Sequence, residues 1–211
     1  MALLLLIRHG LTDATGKRLY GRGAGVHLSP RGRDQADRLA RRIGEVRLEA
    51  VYSSPLERCL ETAEPVAGAT GLPVRTLPGV LEVDVGRWTG RTFASLRRTK
   101  GWRLIHETPS ATAFPGGESL ADAQHRTVAA LEEVAERHPR GAVAVVSHGD
   151  PIRLALAHYA GLHLDLFRRL EAAPGSVSAV AVGRGEPRVL RVNDTGALDD
   201  LAPPRARAVR G

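Results

Sequence analysis

The first ten residues constrain this chain more than any other stretch. Residues 3–7 are all apolar, and Arg8-His9-Gly10 follows them at once. A short apolar run that ends in polar residues and a glycine is typical of a buried strand leading into a loop. Ligands of open α/β sheets bind outside the carboxyl ends of such strands. The sequence therefore predicts a phosphoryl site here, because guanidinium binds phosphoryl oxygens as a fork and imidazole can attack phosphorus.

The length and composition favour one globular domain. A chain of 211 residues that is 43% hydrophobic can bury a sizeable core. It contains no apolar stretch of about 18 residues, so we predict no membrane span. The first apolar run is too short for a signal peptide, and Arg8 follows it rather than preceding it. Cys59 is the single cysteine, which excludes an internal disulfide and predicts a cytoplasmic location.

The net charge of +7 raises the question of nucleic-acid binding. Lys17 and Lys100 are the only lysines, so nearly all of the positive charge comes from arginine. Aromatic residues make up 4% of the chain, which is too few for a base-stacking platform. We therefore interpret the arginines mainly as general composition, with a few that meet anionic small molecules.

Strand-like and helix-like segments alternate along the chain. Apolar runs predict strands at 3–7, 48–52, 71–77, 142–146, 177–182 and 188–192. Helical spacing and capping residues predict helices over 29–44, 55–67, 93–105, 120–137 and 152–160. The segment 80–88 is predicted to be extended and to carry Glu82. This order indicates a three-layer α/β/α sandwich with a mostly parallel central sheet.

The run at 142–146 repeats the pattern of the first strand. It ends in Ser147-His148-Gly149, and Asp150-Pro151 is expected to cap and open the next helix. Two His-Gly steps at strand ends therefore converge on one edge of the sheet. Arg58, in the first turn of the helix after the second strand, can point at the same place.

A metal site is the alternative chemical interpretation of these histidines. Two histidines with Glu82 or Asp13 could hold zinc, but no His-x-x-x-His or paired-cysteine spacing supports this. Arg8 also places positive charge where the cation would lie. We therefore expect no metal and no other cofactor.

At this point the sequence resembles the histidine phosphatase superfamily, which is also called phosphoglycerate mutase-like. The resemblance runs from about residue 3 to residue 192, through six motifs in order. These are Arg8-His9-Gly10 with Thr12, Leu28-Ser29 with Gly32 and Gln35-Ala36, Ser53 to Arg58 with Glu61-Thr62-Ala63, Leu81-Glu82 with Gly86, Trp88 and Gly90, Pro115 to Ser119, and Val146 to Gly149 with Ile152-Arg153.

The resemblance implies a fold of that family and a role for each matching residue. His9 becomes phosphorylated, Glu82 donates a proton to the leaving oxygen, and Arg8, Arg58 and a cationic His148 bind the phosphoryl oxygens. His9 must then be neutral, with one ring nitrogen held by a hydrogen bond. Burial should raise the pKa of Glu82 and the positive pocket should lower it, and the sequence leaves open which effect prevails.

Two positions depart from the pattern of many family members, with Leu11 in place of a glutamate and Thr15 in place of an asparagine. Arg22 lies where members often have a neutral polar residue, and either contacts a second anionic group or is solvated. The residues predicted to contact substrate are Arg8, Thr15, Gly21, Arg22, Arg58, His148 and Gly149.

The predicted function is hydrolysis of a small phosphate monoester without a metal, through a phosphohistidine on His9. A phosphoglycerate mutase is the alternative within the family, and a non-catalytic phosphoester- or nucleic-acid-binding module is the alternative outside it. The expected partner is a small phosphorylated metabolite, and the sequence leaves a homodimer open.

We expect a catalytic domain over 1–195 and a flexible tail over 196–211. The segment 86–117 is a candidate lid. It carries a basic cluster that is either a solvated face or a surface for an acidic phosphorylated substrate. The other histidines, and Trp88 and Trp102, are interpreted as structural or solvated residues, and Cys59 as a core residue.

Overall fold

A computed structural model describes residues 1–196 of the chain, and most of the predicted tail at 196–211 lies outside the described residues. The strands are β1 (Ala2–Arg8), β2 (Arg18–Leu19), β3 (Leu48–Ser53), β4 (Val74–Thr76), β5 (Arg91–Thr92), β6 (Ala142–Ser147), β7 (Val177–Val182) and β8 (Arg188–Asp194). The α-helices are α1 (Pro30–Ile43), α2 (Glu57–Thr70), α3 (Phe93–Leu96), α4 (Lys100–Glu107), α5 (Leu120–Arg137) and α6 (Gly149–Tyr159). Within this part of the chain, no helix is both long enough and apolar enough to cross a membrane.

Six strands form the central sheet, in the order β4-β3-β6-β1-β7-β8. The pairs β4–β3, β3–β6 and β6–β1 are parallel, and β7 runs antiparallel to both of its neighbours. Arg8 at the end of β1 lies opposite Ser147 at the end of β6. The two His-Gly steps therefore leave the sheet at the same edge, as the sequence predicts.

Helices cover both faces of the sheet. Leu3, Leu5 and Ile7 of β1 pack against α1 and α2, and Leu4 and Leu6 pack against α5 and α6. Successive side chains of a strand point to opposite faces, so a fully apolar run is what a strand buried on both sides requires. The prediction of a three-layer α/β/α sandwich with a mostly parallel sheet is confirmed.

The helix starts follow the sequence signals in one case and differ in another. Ser29 caps α1, where its side chain accepts a hydrogen bond from the backbone of Gly32, and Pro30 opens the helix. The prediction that Asp150 caps α6 is wrong. His148 occupies the N-cap position, and Asp150 lies in the first turn, where its charge favours the helix dipole.

The segment 86–117 packs as a separate apolar cluster above the strand ends. The rings of Trp88 and Phe114 meet edge to face with centroids 5.4 Å apart, and Leu96 and Ile105 are buried beside them. The stretch 81–85 has no regular secondary structure and lies between two 3-10 turns, so the prediction of an extended segment over 80–88 is wrong. Glu82 therefore sits on irregular backbone whose position depends on side-chain contacts. The domain boundaries and the role of 86–117 as a lid stay predictions.

Candidate active site

His9 follows β1 and is held by a hydrogen bond through one ring nitrogen. Its Nδ1 lies 2.7 Å from the carbonyl oxygen of Gly10. A carbonyl oxygen can only accept, so Nδ1 carries the proton and Nε2 keeps its lone pair. Residue His9 is 6% exposed. The arrangement is the one that a neutral imidazole nucleophile requires.

The backbone around His9 depends on two glycines in close contact. A Cβ on Gly10 would lie 2.5 Å from the carbonyl oxygen of Gly32, and a Cβ on Gly32 would lie 2.0 Å from that of Leu11. The backbone N–H of Gly10 also donates to Thr62 Oγ1 at 3.1 Å. The loop after β1 is thus fixed between α1 and α2, and this fixes the ring of His9.

Burial lowers the pKa of His9 to about 3, and the charges of Arg58 and Arg8 act in the same direction. The imidazole is therefore neutral throughout the physiological range. This agrees with the neutral nucleophile that the sequence analysis requires.

Arg58 and Arg8 each have one buried nitrogen without a hydrogen-bond partner in the described residues. Arg58 Nη2 donates to the carbonyl oxygen of Gly21 at 2.8 Å, and its Nη1 is unpartnered. Arg8 Nη1 donates to the carbonyl oxygen of Ala172 at 2.6 Å, and its Nε is unpartnered. Buried donors are nearly always satisfied, so two unpaired guanidinium donors beside a nucleophile indicate a binding place for an anion.

His148 is fully buried beside His9, with ring centroids 5.3 Å apart. Its Nε2 lies 2.8 Å from Ser54 Oγ. Burial lowers the pKa of His148 well below its ordinary value, and the charges of Arg58, His9 and Arg8 lower it further. The neutral imidazole is therefore favoured here, in contrast to the expected cationic form. A dianionic phosphoryl group bound beside His9 would shift this balance back toward the cation.

Glu82 lies in the irregular stretch after the first 3-10 turn. Its Oε1 accepts a hydrogen bond from the backbone of Val83 at 2.9 Å. Burial raises the pKa of Glu82 to about 7, and the charge of Asp150 adds to this effect, whereas Arg58 and Arg8 oppose it. Burial prevails over the positive pocket, so the carboxyl group keeps its proton to a higher pH than an ordinary glutamate does. Such a group can donate a proton.

The partly buried carboxylate of Glu118 holds the backbone that carries Glu82. Glu118 accepts hydrogen bonds from Arg126 at 2.7 and 3.0 Å, from Arg22 at 3.0 Å and from the backbone of Asp84 at 2.8 Å. The same two arginines donate to the carbonyl oxygen of Glu82, at 3.0 Å from Arg22 and at 3.1 Å from Arg126. The position of Glu82 therefore depends on this ion-pair network.

The predicted substrate contacts fall into two groups. The cavity at the strand ends has a volume of about 350 Å³ and is lined by Arg8, His9, Thr15, Gly21, Arg58, Glu82 and Gly149 among the predicted residues. His148 and Arg22 do not line it. His148 is fully buried in contact with Ser54 and His9, and Arg22 is occupied by Glu118 and by the backbone of Glu82.

Other cavity-lining residues were not predicted as part of the site. They include Trp102, His106, Asp150, Arg153 and Arg168. The interpretation of Trp102 and His106 as merely structural or solvated residues is therefore incomplete. A lone Trp or His on a helix gives no signal of its own, and only Arg153 lay in a quoted motif. The basic residues of 86–117 are exposed and do not line the cavity, namely Arg87, Arg91, Arg97, Arg98, Lys100 and Arg103.

The described residues also bear on the metal alternative. Within 1–196, no group of three or more His, Cys, Asp or Glu side chains is arranged to hold a metal ion. Cys59 is buried and its thiol contacts His148, and burial raises the pKa of that thiol far above its ordinary value. A protonated, buried thiol is a poor metal ligand and a poor nucleophile.

A neutral imidazole, two arginines with unpartnered donors and a carboxyl group with a raised pKa lie at one sheet edge, and this arrangement suits an α/β enzyme that acts on phosphoryl groups. The model of the histidine phosphatase superfamily (branch 1) matches residues 4–195. The chain therefore belongs to the histidine phosphatase superfamily, and its predicted enzyme class, a histidine-type phosphatase, is confirmed.

Relatives in sequence and structure agree with this assignment. Phosphoserine phosphatase 1 of Hydrogenobacter thermophilus is 32% identical over 203 residues, which cover 95% of this chain and 96% of that protein. The structure of YhfR from Bacillus stearothermophilus superimposes with a TM-score of 0.86 at 29% identity, covering 92% of this chain and 98% of the other. The mycobacterial glucosyl-3-phosphoglycerate phosphatase Rv2419c has a TM-score of 0.82 at 28% identity, covering 90% and 98%.

Proposed function

We propose that the protein hydrolyses small phosphate monoesters without a metal, through a phosphohistidine on His9. The observation that carries this proposal is the pairing of a neutral, hydrogen-bonded His9 with two buried guanidinium donors that lack partners. The family assignment and the named phosphatases among its relatives support the same reaction.

In the first step, Nε2 of His9 attacks phosphorus and the bond to the ester oxygen breaks. Arg8 and Arg58 bind the phosphoryl oxygens through their free donors, so they stabilise charge where it develops. Protonated Glu82 gives its proton to the departing alcohol oxygen. The alcohol leaves as a neutral molecule, and the phosphoryl group stays on His9.

In the second step, water attacks the phosphohistidine. The Glu82 carboxylate takes a proton from that water, and inorganic phosphate and the neutral imidazole are released. A pKa near 7 suits both roles, since the group must be an acid in one step and a base in the next. The positive charge of Arg8 and Arg58 around His9 leaves no need for a metal cation at this place.

The test replaces His9 by alanine. Wild-type protein should release inorganic phosphate and form an acid-labile phosphoryl label, and His9→Ala should lose both while it keeps its unfolding midpoint. The exposed His125 on α5 provides a matched control, because His125→Ala leaves the cavity intact. Turnover at the wild-type rate in His9→Ala would refute the nucleophile.

The same assay separates the alternatives. A phosphoglycerate mutase would isomerise 3-phosphoglycerate without releasing phosphate, and a binding module would bind phosphoesters without labelling His9. A nucleic-acid-binding protein would show steeply salt-dependent DNA binding that survives His9→Ala. A cytoplasmic location and a homodimer stay predictions.

A further inference from the structure

The cavity holds a second group of ionisable side chains that the reaction on His9 does not use. Asp150 and Arg153 come from α6, Arg168 comes from the 3-10 helix Leu164–Arg169, and His106 comes from α4. All four line the same cavity as His9. They form what we call the distal cluster.

The distal cluster lies near the catalytic group, and the charges of Arg153 and Asp150 act on Arg8 while that of Asp150 acts on Glu82. The charges that shift the pKa of His9 are those of Arg58 and Arg8, whereas those that shift the pKa of Arg168 are those of Asp150 and Arg153. The charge of Arg153 reaches Arg8 as well. Arg153 therefore lies close enough to both Arg8 and Arg168 to lower their pKa values.

Arg168 is a fixed, partly buried cation without an acidic partner. Its Nη1 donates to the carbonyl oxygen of Ile105 at 2.9 Å, and its guanidinium lies 4.5 Å from the centre of the Phe167 ring. Among residues 1–196, no carboxylate oxygen comes within ion-pair distance of it, and burial lowers its pKa. The neighbouring ring and carbonyl hold the guanidinium in place while its remaining donors are available.

The positive charge of Arg153 is only partly compensated by nearby carboxylates. Its Nη1 donates to Asp150 Oδ1 at 3.1 Å, and its Nη2 lies 3.6 Å from an oxygen of Glu171, whose side chain is 70% exposed. An exposed pair at this distance contributes little. The Nε of Arg153 is buried and has no hydrogen-bond partner in the described residues. The distal cluster therefore contains two guanidinium groups against one closely paired carboxylate.

We propose that Arg168 and Arg153 form a second anion subsite, which selects phosphate monoesters whose alcohol part carries a carboxylate. A carboxylate fits better than a second phosphate because it brings one negative charge to a cluster with one uncompensated positive charge. Guanidinium groups also bind carboxylates through parallel hydrogen bonds. This proposal rests on the phosphatase activity proposed above, and it specifies the substrate class.

The test compares two esters that differ by the carboxylate, 3-phosphoglycerate and sn-glycerol 3-phosphate. Wild-type protein should have the higher kcat/KM for 3-phosphoglycerate. In Arg168→Gln the ratio of the two kcat/KM values should fall about tenfold, mainly through KM, since a charged hydrogen bond is lost. Arg168→Lys keeps the cation and should retain part of the preference.

Arg169→Gln is the matched control, because Arg169 is the next residue, is exposed and does not line the cavity. This variant should keep the wild-type ratio. An unchanged ratio in Arg168→Gln, or equal kcat/KM values for both esters in the wild type, would overturn the subsite. Unfolding midpoints of all variants show whether Arg168→Gln has lost its fold, in which case Arg168→Lys decides.

A binding measurement separates failure of the subsite from failure of the proposed function. Calorimetry on His9→Ala should show tighter binding of 3-phosphoglycerate than of sn-glycerol 3-phosphate, and Arg168→Gln in that background should remove the difference. If wild-type protein hydrolyses neither ester but this difference is found, the phosphatase proposal fails and the subsite stands. If both esters are hydrolysed and bound equally, the subsite fails and the phosphatase proposal stands.

Discussion

Replacement of Glu82 by glutamine removes one ionisable group from the cavity with little change in shape. Glutamine keeps an oxygen that can accept the hydrogen bond from the backbone of Val83. The folded pKa of Glu82 is about 7 and the ordinary value is 4.5. The difference of about 2.5 pH units, at about 1.36 kcal/mol each, amounts to about 3 kcal/mol.

The sign of this effect follows from linkage. Because the folded pKa is raised, protonated Glu82 stabilises the folded state relative to the ionised form. Below about pH 4.5 the group is protonated in both states, and wild type and Glu82→Gln should respond alike to pH. Between about pH 4.5 and 7 the unfolded chain loses its proton while the folded protein keeps it. The free energy of unfolding of the wild type should therefore fall by up to about 3 kcal/mol relative to that of the variant, and this decrease should level off above pH 7.

Chemical denaturation of both proteins at several pH values from 4.5 to 8 measures this difference. All other groups titrate in both proteins, so their contributions cancel in the subtraction. In parallel, kcat for an alkyl phosphate should fall by about 10²- to 10⁴-fold in Glu82→Gln, since the proton donor is lost. A difference in unfolding free energy that stays constant with pH would refute the raised pKa, even if activity were lost.

Two further perturbations test the positioning of Glu82 and the absence of a metal. Glu118→Gln weakens the contacts of Arg22 and Arg126. Turnover of an alkyl phosphate should therefore fall about tenfold or more. Turnover of p-nitrophenyl phosphate should fall less, because its leaving group needs no proton. Equal losses on both esters would contradict a role through Glu82. Excess chelator should leave phosphate release unchanged, and a loss restored by zinc would overturn the metal-free proposal.

The meeting of the two His-Gly steps could be predicted from the sequence. Apolar runs fix β1 and β6 as buried strands, and parallel pairing brings their carboxyl ends to one edge. His9 and His148 are 139 positions apart in the sequence, yet their rings lie 5.3 Å apart. The neutral state of His9 also follows from placing it among arginines in a buried site.

The partners of long polar side chains could not be predicted in this way. Arg22 and Glu118 are separated by 96 positions, and 30 basic and 23 acidic residues offer too many pairings for charge alone to select one. The balance of burial and charge at Glu82 has the same difficulty, since it depends on how irregular backbone is held. The distal cluster was missed because its members come from three separate elements, and only α6 among them follows a strand-end signal.

The two charge groups in the cavity are linked through Asp150. Its negative charge is the second cause, after burial, of the raised pKa of Glu82, and it also pairs with Arg153. A substrate carboxylate bound at the proposed subsite would add negative charge beside Asp150. It would also bind the arginines that now compensate the charge of Asp150. Both effects favour the protonated form of Glu82. Binding of the substrate carboxylate would thus help to keep Glu82 protonated until the ester bond breaks.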